Sequence, residues 1–315
     1  MLLNSIELRA SDSMKVCLHP VKKGAKWGYA NIDGQSVIAC VFDSALGFSE
    51  GLAAVQLSNE WGFIDQTGRM VIHPQFRNVE SFSCGLAKIW TKDPKYPAAF
   101  IDYSGKIVFK SKYLDVTSFY ARRSRAIIHG KVCYLNPKGE MVIKTSFPYG
   151  GVFYEGIAQV WTSHSAKFID TNGKRIAFFY EMGHSDFSEG TASVLGQSHA
   201  FYFNRARKKI SVPSRSFYID TLGNPTITNT VDSLVYYPFS NGMAEVCSPG
   251  TGHKSGFIDS SGHLVIPIVY DKVTSYYNGY ALVSQAGKSY IIDKKGNTAG
   301  EEGKSAFFSK KCGCQ

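Results

Sequence analysis

The chain has 315 residues, of which 44% are hydrophobic, 14% aromatic and 19% charged. This is the composition of a folded globular protein, and its 30 Gly, 18 Tyr and 21 Phe favour strands joined by tight turns. The chain lacks a basic start followed by an apolar stretch, and no apolar run reaches about 18 residues, so a Sec signal peptide and a transmembrane segment are not expected. The net charge of +10 is compatible with an anionic partner or with solubility alone.

One turn motif recurs along the chain, and we call it the Asp turn: an Asp or Asn with Gly three residues later, after a short apolar segment. Asp or Asn opens such a turn by accepting backbone N–H bonds, and Gly adopts the left-handed conformation that closes a bulged hairpin. Successive copies lie 34, 37, 34, 34, 50, 39 and 34 residues apart, a period typical of stacked or circular repeats. The eight copies begin at Asn31, Asp65, Asp102, Asn136, Asp170, Asp220, Asp259 and Asp293.

A second motif, the aromatic hairpin, has an aromatic residue three positions before a Gly and an Ala two positions after it. Most copies lead into a segment with the period-two pattern of a strand. We expect the Ala beside this Gly to mark close backbone packing between neighbouring repeats. The copies are FSEGLA from Phe48, FSCGLA from Phe82, FYEGIA from Phe153, FSEGTA from Phe187, FSNGMA from Phe239 and YYNGYA from Tyr276, while the copy at Phe119 has lost its Gly. The two motifs together predict an all-β tandem array of eight short β-meander repeats.

The segments KWGYANIDG, EWGFIDQTG and FSEGLAAV resemble the bacterial WG (KWG-type) repeat, and the resemblance extends from about Lys15 to Ala299. It implies an all-β repeat module whose repeats carry no catalytic signature, so it transfers architecture and not activity. We expect a propeller-like closed ring in preference to an open twisted stack. The predicted plan is an N-terminal segment at 1–14 that supplies a closing strand, the array at 15–299 and a flexible tail at 300–315.

Two irregularities in the array concentrate positive charge. The 50-residue step contains Asn204 in phase with Asp170 but with Arg207 in place of the Gly, which predicts an insertion near 204–220 that adds or lengthens a hairpin. Arginine suits carboxylate or phosphate recognition, although a solvated surface is the alternative interpretation. The candidate binding residues are Arg122, Arg123, Arg125, Arg205, Arg207, Lys208, Lys209 and Arg215. No recognition helix or RNA-binding motif accompanies them, so sequence-specific nucleic-acid binding is not expected.

Aromatic residues at strand ends provide a second class of candidates, either as stacking platforms for a sugar or peptide or as apolar layers between repeats. They are Trp90, Trp161, Tyr154, Tyr236, Tyr237, Tyr276 and Tyr277. The seven Cys and eight His residues show no metal-ligand spacing, and the Gly-rich segment 248–255 joins two strands, so no metal, cofactor or phosphate-binding loop is expected. The odd number of cysteines fits reduced thiols.

The C-terminal tail carries two cysteines close together. Cys312 stands fourth from the end with Gln315 last, which resembles a prenylation box, although Gly313 and Cys314 match its aliphatic positions poorly. Lipidation would bring the tail into peripheral membrane contact in a eukaryotic cytosol. The alternative is a pair of exposed, oxidisable thiols.

The lack of a catalytic residue set predicts a non-enzymatic, cytoplasmic interaction scaffold whose partner is another protein of acidic character. One alternative is a module that binds carbohydrate or a cell-surface polymer through its aromatic platforms. Another is an effector that is translocated into a host cell and anchored through its C-terminal cysteines. An enzyme with a site assembled across repeats is a third.

Overall fold

The chain consists of short antiparallel strands. The computed structural model describes residues 18–31, 34–113, 115–180, 185–194, 201–211, 217–227, 234–248 and 252–299. Within these ranges every regular element is a β-strand and no helix occurs, and the strands form small, separate sheets. The prediction of an all-β chain is therefore confirmed. The chain divides into two compact units between Phe82 and Ser83, and each unit is described by itself.

The first unit holds two sheets with the strand orders β1-β2-β3 and β4-β5-β6-β7. The strands are β1 His19–Lys23, β2 Lys26–Ala30, β3 Ser36–Phe42, β4 Ser44–Ala45, β5 Leu52–Leu57, β6 Glu60–Asp65 and β7 Met70–Phe76. Each full repeat thus has a short first strand, two central strands and an outer strand that follows the Asp turn.

The second unit repeats this plan, with one interruption. Its strands are β8 Ala87–Trp90, β9 Ala98–Ile101, β10 Ile107–Ser111, β11 Val116–Tyr120, β12 Arg123–Ile128, β13 Lys131–Leu135, β14 Met141–Lys144, β15 Tyr149–Gly150, β16 Ile157–Trp161, β17 Ser165–Asp170, β18 Arg175–Tyr180, β19 Thr191–Val194, β20 Phe201–Phe203, β21 Lys209–Ser211, β22 Phe217–Asp220, β23 Val235–Ser240, β24 Met243–Cys247, β25 Ser255–Asp259, β26 Leu264–Tyr270, β27 Lys272–Val273, β28 Tyr280–Gln285 and β29 Lys288–Asp293. Its sheets have the orders β10-β9-β8, β11-β12-β13-β14, β15-β16-β17-β18-β20-β21, β19-β22, β23-β24-β25-β26 and β27-β28-β29.

The interruption is the hairpin of β20 and β21, which lies in the region of the predicted insertion. Strand β19 pairs with β22, which ends in the Asp turn of Asp220, so the repeat continues across the hairpin. The hairpin instead extends the neighbouring sheet, because β20 pairs with β18. Asn204 forms the same turn as an Asp would, and Arg207 takes the left-handed conformation of the missing Gly with φ of 62°.

The Asp turn is built as the sequence predicts, with one addition. Asp65 Oδ1 accepts the backbone N–H groups of Thr67 at 2.9 Å and Arg69 at 3.1 Å. Gly68 has φ of 86°, and a methyl group placed on it would lie 3.2 Å from Ile38 Cγ2 of the preceding repeat. The same approach occurs at Gly139 against Phe109, at Gly173 against Ile143 and at Gly296 against Ile266. The glycine therefore serves both the turn and the packing between repeats.

The aromatic hairpin is a two-residue turn whose Gly has a different role. Ser49 and Leu52 exchange both backbone bonds, while Glu50 and Gly51 have φ of 52° and 85°, as in a type I′ turn. No atom lies within 4 Å of the position of a methyl group on Gly51. Its neighbour Ala53 is fully buried. The Gly therefore serves the turn alone, while the Ala that is expected to mark close packing is buried.

The Ser and Glu of the aromatic hairpin connect one repeat to the next. Ser188 Oγ donates to the carbonyl oxygen of Phe239 at 2.7 Å. The carboxylate of Glu155 accepts the backbone N–H groups of Glu189 at 2.7 Å and Gly190 at 2.8 Å. Equivalent bonds join Ser49 to Phe82, Ser240 to Tyr276, Glu189 to Gly242 and Asn241 to Gly279. The motif thus supplies side chains that link successive turns.

Aromatic pairs fill the core between repeats. The aromatic residue before an Asp turn packs against the first residue of the following aromatic hairpin, as Phe168 does against Phe187 at 5.0 Å between ring centroids. The same contact joins Phe63 to Phe82, Phe100 to Phe119, Tyr134 to Phe153, Tyr218 to Phe239 and Phe257 to Tyr276. Each such pair contributes roughly 0.5–1.5 kcal/mol beyond its buried area. The repeat spacing therefore places a ring on each side of every such interface.

Candidate functional site

The first basic cluster lies where one aromatic hairpin has lost its Gly. Ala121 and Arg122 form the turn with φ of 47° and 58°, and the Arg122 side chain is exposed. Arg123 Nε donates to the carbonyl oxygen of Thr171 at 2.8 Å. Arg125 forms an ion pair with Asp115 at 2.9 Å and is only partly exposed. Of the three arginines, Arg122 therefore offers the most accessible side chain.

The second basic cluster lies on the hairpin of β20 and β21. Arg205 forms an ion pair with Asp170 at 2.8 Å between Nη2 and Oδ2. Arg207, Lys208 and Lys209 are exposed at the turn and the strand that follows it. Arg215 lies outside the described residues. The cluster therefore has one arginine held by an internal carboxylate and three further cations that are exposed.

The structure brings both clusters to a single feature, the Asp turn formed by residues 170–173. Arg123 approaches this turn from the preceding repeat and bonds to Thr171, while Arg205 approaches from the added hairpin and bonds to Asp170. These contacts span 48 and 35 residues of sequence. We call the exposed side chains of Arg122, Arg207 and Lys208, carried by the two hairpins that contact this turn, the Asp170 basic surface.

The aromatic candidates separate into core and surface residues. Tyr236 and Tyr276 are buried, which agrees with the interpretation as apolar layers. Tyr154 and Tyr237 are exposed by 48% and 43%. Trp90, Trp161 and Tyr277 are partly buried. Trp161 stacks on Tyr149, which is 56% exposed, with ring centroids 6.2 Å apart and planes 25° from parallel. The Tyr149–Trp161 pair therefore resembles a stacking platform most closely.

One polar cluster on β24 was not predicted from the sequence. Glu245 Oε1 accepts a hydrogen bond from Ser255 Oγ at 2.8 Å, and burial raises the pKa of the Glu245 carboxyl. Burial also raises the pKa values of Tyr237 and Cys247, whose side chains bond to each other. Raised pKa values favour the neutral carboxyl and thiol, whereas a nucleophilic cysteine requires the thiolate. The cluster therefore consists of two hydrogen-bonded pairs, Glu245 with Ser255 and Tyr237 with Cys247. Its sequence signal was a polar residue between Ala and Val, which is ordinary in an alternating strand.

The remaining candidates are the cysteines, the possible metal ligands, the Gly-rich segment and a membrane-spanning segment. The described cysteines Cys40, Cys84, Cys133 and Cys247 form no disulfide. Across the residues that the structure describes, no three His, Cys, Asp or Glu side chains are grouped to hold a metal ion. The Gly-rich segment 248–255 lies in the sequence between the end of β24 and the start of β25, and its residues 249–251, like Cys312, lie outside the described residues. In the described part of the chain, no helix has the length and hydropathy needed to cross a membrane.

These features define an all-β protein of tandem hairpin repeats. A family model described as a WG containing repeat matches residues 27–61, 61–89, 134–160 and 256–288. These four segments therefore match the WG containing repeat, and the resemblance inferred from the Trp-Gly and aromatic-hairpin motifs is confirmed.

Comparison with solved structures extends the similarity to the fold of most of the chain. The crystal structure of a eukaryotic initiation factor aligns with a TM-score of 0.57 at 11% identity, covering 90% of this chain and 84% of that chain. A form of KlHsv2 whose loop 6CD is replaced by a Gly-Ser linker aligns with a TM-score of 0.41 at 7% identity, covering 78% and 89%. A sequence search of curated proteins gave no match. At such low identity the first similarity concerns fold alone.

Proposed function

We propose that this WG-repeat chain is a non-enzymatic interaction scaffold and that the Asp170 basic surface binds an acidic segment of a partner protein. The proposal is supported by the convergence of two distant basic clusters on one turn. Arg123 and Arg205 anchor the two hairpins to that turn, so that Arg122, Arg207 and Lys208 are presented on supported elements. When the supporting elements are already rigid, less conformational entropy is lost on binding.

Arginine and lysine side chains on this surface suit carboxylates. Asp170 is already engaged by Arg205 and by the N–H groups of its own turn, so it leaves the exposed cations available to an external anion. The net charge of +10 adds a long-range attraction that speeds association with acidic partners at low salt. The closed ring, the cytoplasmic location and the modification of Cys312 stay predictions.

The test uses the full chain and a fluorescently labelled poly-glutamate peptide, with a poly-serine peptide as the neutral probe. We expect the triple variant Arg122→Gln, Arg207→Gln and Lys208→Gln to bind poly-glutamate about tenfold more weakly, because three surface ion pairs together contribute about 1.5 kcal/mol. Fluorescence anisotropy at two salt concentrations measures the dissociation constant.

A matched control removes the same charge from the last repeat, with exposed Lys272, Lys288 and Lys295 all changed to Gln. Electrostatics without a defined site would weaken both triple variants equally, and that result would refute the proposal. Equal binding of poly-serine and poly-glutamate would refute it as well.

Binding of a carbohydrate is the second candidate function, and the stacked Tyr149–Trp161 pair favours it. An exposed aromatic face can pack against the apolar face of a sugar ring. Binding of a labelled oligosaccharide panel that Tyr149→Ala removes would favour this function over the first. A panel without signal would eliminate it.

A further inference from the structure

Two cationic side chains, Lys167 and Arg175, lie on adjacent strands of the repeat that contains the Asp turn of Asp170. Lys167 is part of β17, and Arg175 is the first residue of β18. Arg175 pairs with Ile169, which lies two residues after Lys167 on β17. Directly paired residues share a face of a sheet, and so do residues two positions apart on one strand. Both cations therefore belong to one face of this sheet.

That face packs against the preceding repeat. Val160 pairs with Lys167, and both Val160 and Ile169 are buried. They form one apolar cluster with Tyr134 and Ile143 of the preceding sheet. The two cations are themselves partly buried. They therefore lie beside the contact between two neighbouring repeats, where solvent screens their charges only in part.

The two cations have no counter-charge among the residues that the structure describes. Neither side chain forms an ion pair with a carboxylate of those residues, and Arg175 Nη2 is buried there without a hydrogen-bond partner. Partial burial lowers the pKa of Lys167, and the positive charge of Arg175 lowers it further, so the two groups lie close enough to repel each other. An unsatisfied guanidinium nitrogen and a pair of like charges are both unfavourable, and a bound anion would relieve both.

Both positions are charged in this repeat alone. They lie three residues before and five residues after the Asp or Asn of the turn, and the other seven copies hold uncharged residues at both. At the first position these are Gly28, Gly62, Ala99, Cys133, Phe217, Gly256 and Tyr290. At the second they are Ser36, Met70, Ile107, Met141, Pro225, Leu264 and Thr298. The architecture of the repeat therefore requires neither charge, and the two cations occur together.

We propose that Lys167 and Arg175 bind a phosphate group, either as the free ion or as a phosphate monoester. Arginine donates through several N–H groups that suit phosphate oxygens, and the ammonium group of lysine adds a second positive charge. A phosphate oxygen would accept the hydrogen bond that Arg175 Nη2 lacks among the described residues. The anion would also offset the repulsion between the two cations.

A tetrahedral, doubly charged anion matches this site better than a carboxylate does. A phosphate group carries close to two negative charges and presents several acceptor oxygens in different directions, so one anion can balance both cations. A carboxylate carries a single charge and would leave one cation uncompensated. The site is also separate from the Asp170 basic surface, because it uses none of the exposed side chains that define that surface.

The first test titrates the full chain with inorganic phosphate and follows binding by phosphorus NMR. We expect Arg175→Met and Lys167→Ala each to raise the dissociation constant by about tenfold or more, because each removes a charge-assisted bond to the anion. Met141 and Ala99 occupy the equivalent positions of other repeats, so both substitutions introduce residues that the repeat already accepts. Circular dichroism verifies that the variants are folded.

The matched control is Lys174→Met. Lys174 is exposed, immediately precedes Arg175 and bonds to Asp170 through its backbone N–H. The change removes the same charge from the same repeat, so any long-range attraction of anions falls equally while the site stays intact. We expect this variant to bind phosphate as the wild type does. Equal weakening by Lys174→Met and Arg175→Met would overturn the proposal.

The second test uses competing anions to identify the chemistry of the ligand. Sulfate has the same shape and charge as the phosphate dianion and should displace it, whereas acetate should compete about tenfold less well. Binding of O-phosphoserine that Arg175→Met weakens would identify monoesters as ligands, and a response to inorganic phosphate alone would identify the free ion; either result supports the site. A wild-type chain that binds neither compound, or acetate that competes as well as sulfate, would overturn it.

Discussion

Most repeats have two tight turns that contain Gly, and the two glycines differ in what surrounds them. In the Asp turn of the repeat that contains Asp170, a methyl group on Gly173 would lie 2.9 Å from Ile143 Cγ2 of the preceding repeat. In the aromatic hairpin of the same region, Gly156 has open space around it. Both residues have positive φ, 76° and 77°. Glycines with nearly equal φ therefore meet different packing constraints.

A third glycine, which follows Trp27, Trp61 or Ser255 in the strand before the Asp turn, has the closest contacts of the three. A methyl group on Gly28, Gly62 or Gly256 would lie 2.4 Å from the carbonyl oxygen of Ile38, Ile72 or Ile266, respectively. The pairing register shifts at each of these positions. The glycine here permits one backbone to approach another closely. A residue with a Cβ atom would collide with the carbonyl group of the neighbouring strand.

The largest effect is expected from Gly62→Ala. The obstacle is a backbone carbonyl rather than a flexible side chain, so the strands must separate, and we expect a loss of about 3 kcal/mol in the free energy of unfolding, measured by urea denaturation. Ala99→Gly is the matched control, since Ala99 occupies the equivalent position of β9 with regular pairing to Lys110, and it should cost about 1 kcal/mol. Equal losses in the two variants would contradict the close-approach explanation.

An intermediate loss in the free energy of unfolding is expected to distinguish Gly173 of the Asp turn from Gly156 of the aromatic hairpin. Both Gly173→Ala and Gly156→Ala force an alanine into the left-handed conformation, at a cost of about 1 kcal/mol. Gly173→Ala additionally presses on Ile143 and should lose about 2 kcal/mol in total. Urea denaturation of both variants measures the difference. Combining Gly173→Ala with Ile143→Ala should cost less than the sum of the two single changes, and additive losses would show that packing is not responsible.

The smallest effect is expected from Glu155→Gln, which tests whether carboxylates link successive aromatic hairpins. The amide has a single acceptor oxygen and no charge, so the variant loses one of the two bonds from the N–H groups of Glu189 and Gly190 and weakens the other, at a cost of about 1 kcal/mol. Hydrogen exchange of those two amides should accelerate. Exposed Glu60 provides the control, since Glu60→Gln should leave both exchange rates unchanged.

Much of the local structure could be predicted from the sequence because it depends on residues a few positions apart. The turn at Asp65 needs only its own carboxylate and Gly68, and the hairpin at Phe48 needs only two residues that tolerate positive φ. Arg122 and Arg207 were recognisable as exceptions because each replaces a turn glycine. Their left-handed conformations follow from the turn geometry around them.

The candidate site was predicted residue by residue but not as a whole. Arg123 and Arg205 were candidates, yet nothing in their neighbourhood in the sequence indicates that both contact the turn of Asp170. The polar cluster around Glu245 and Cys247 was missed for the same reason, since its hydrogen bonds join β24 to Tyr237 on β23 and to Ser255 on β25.

The sequence by itself determined the strand-and-turn pattern, the repeat period and the charged irregularities, because hydrogen bonds within a turn and alternation along a strand are encoded over short distances. Only the tertiary structure decided which glycine packs against the preceding repeat, which edge a second strand covers and which basic residues share a turn. Those outcomes depend on contacts between residues tens of positions apart, where register and sheet order select the neighbours.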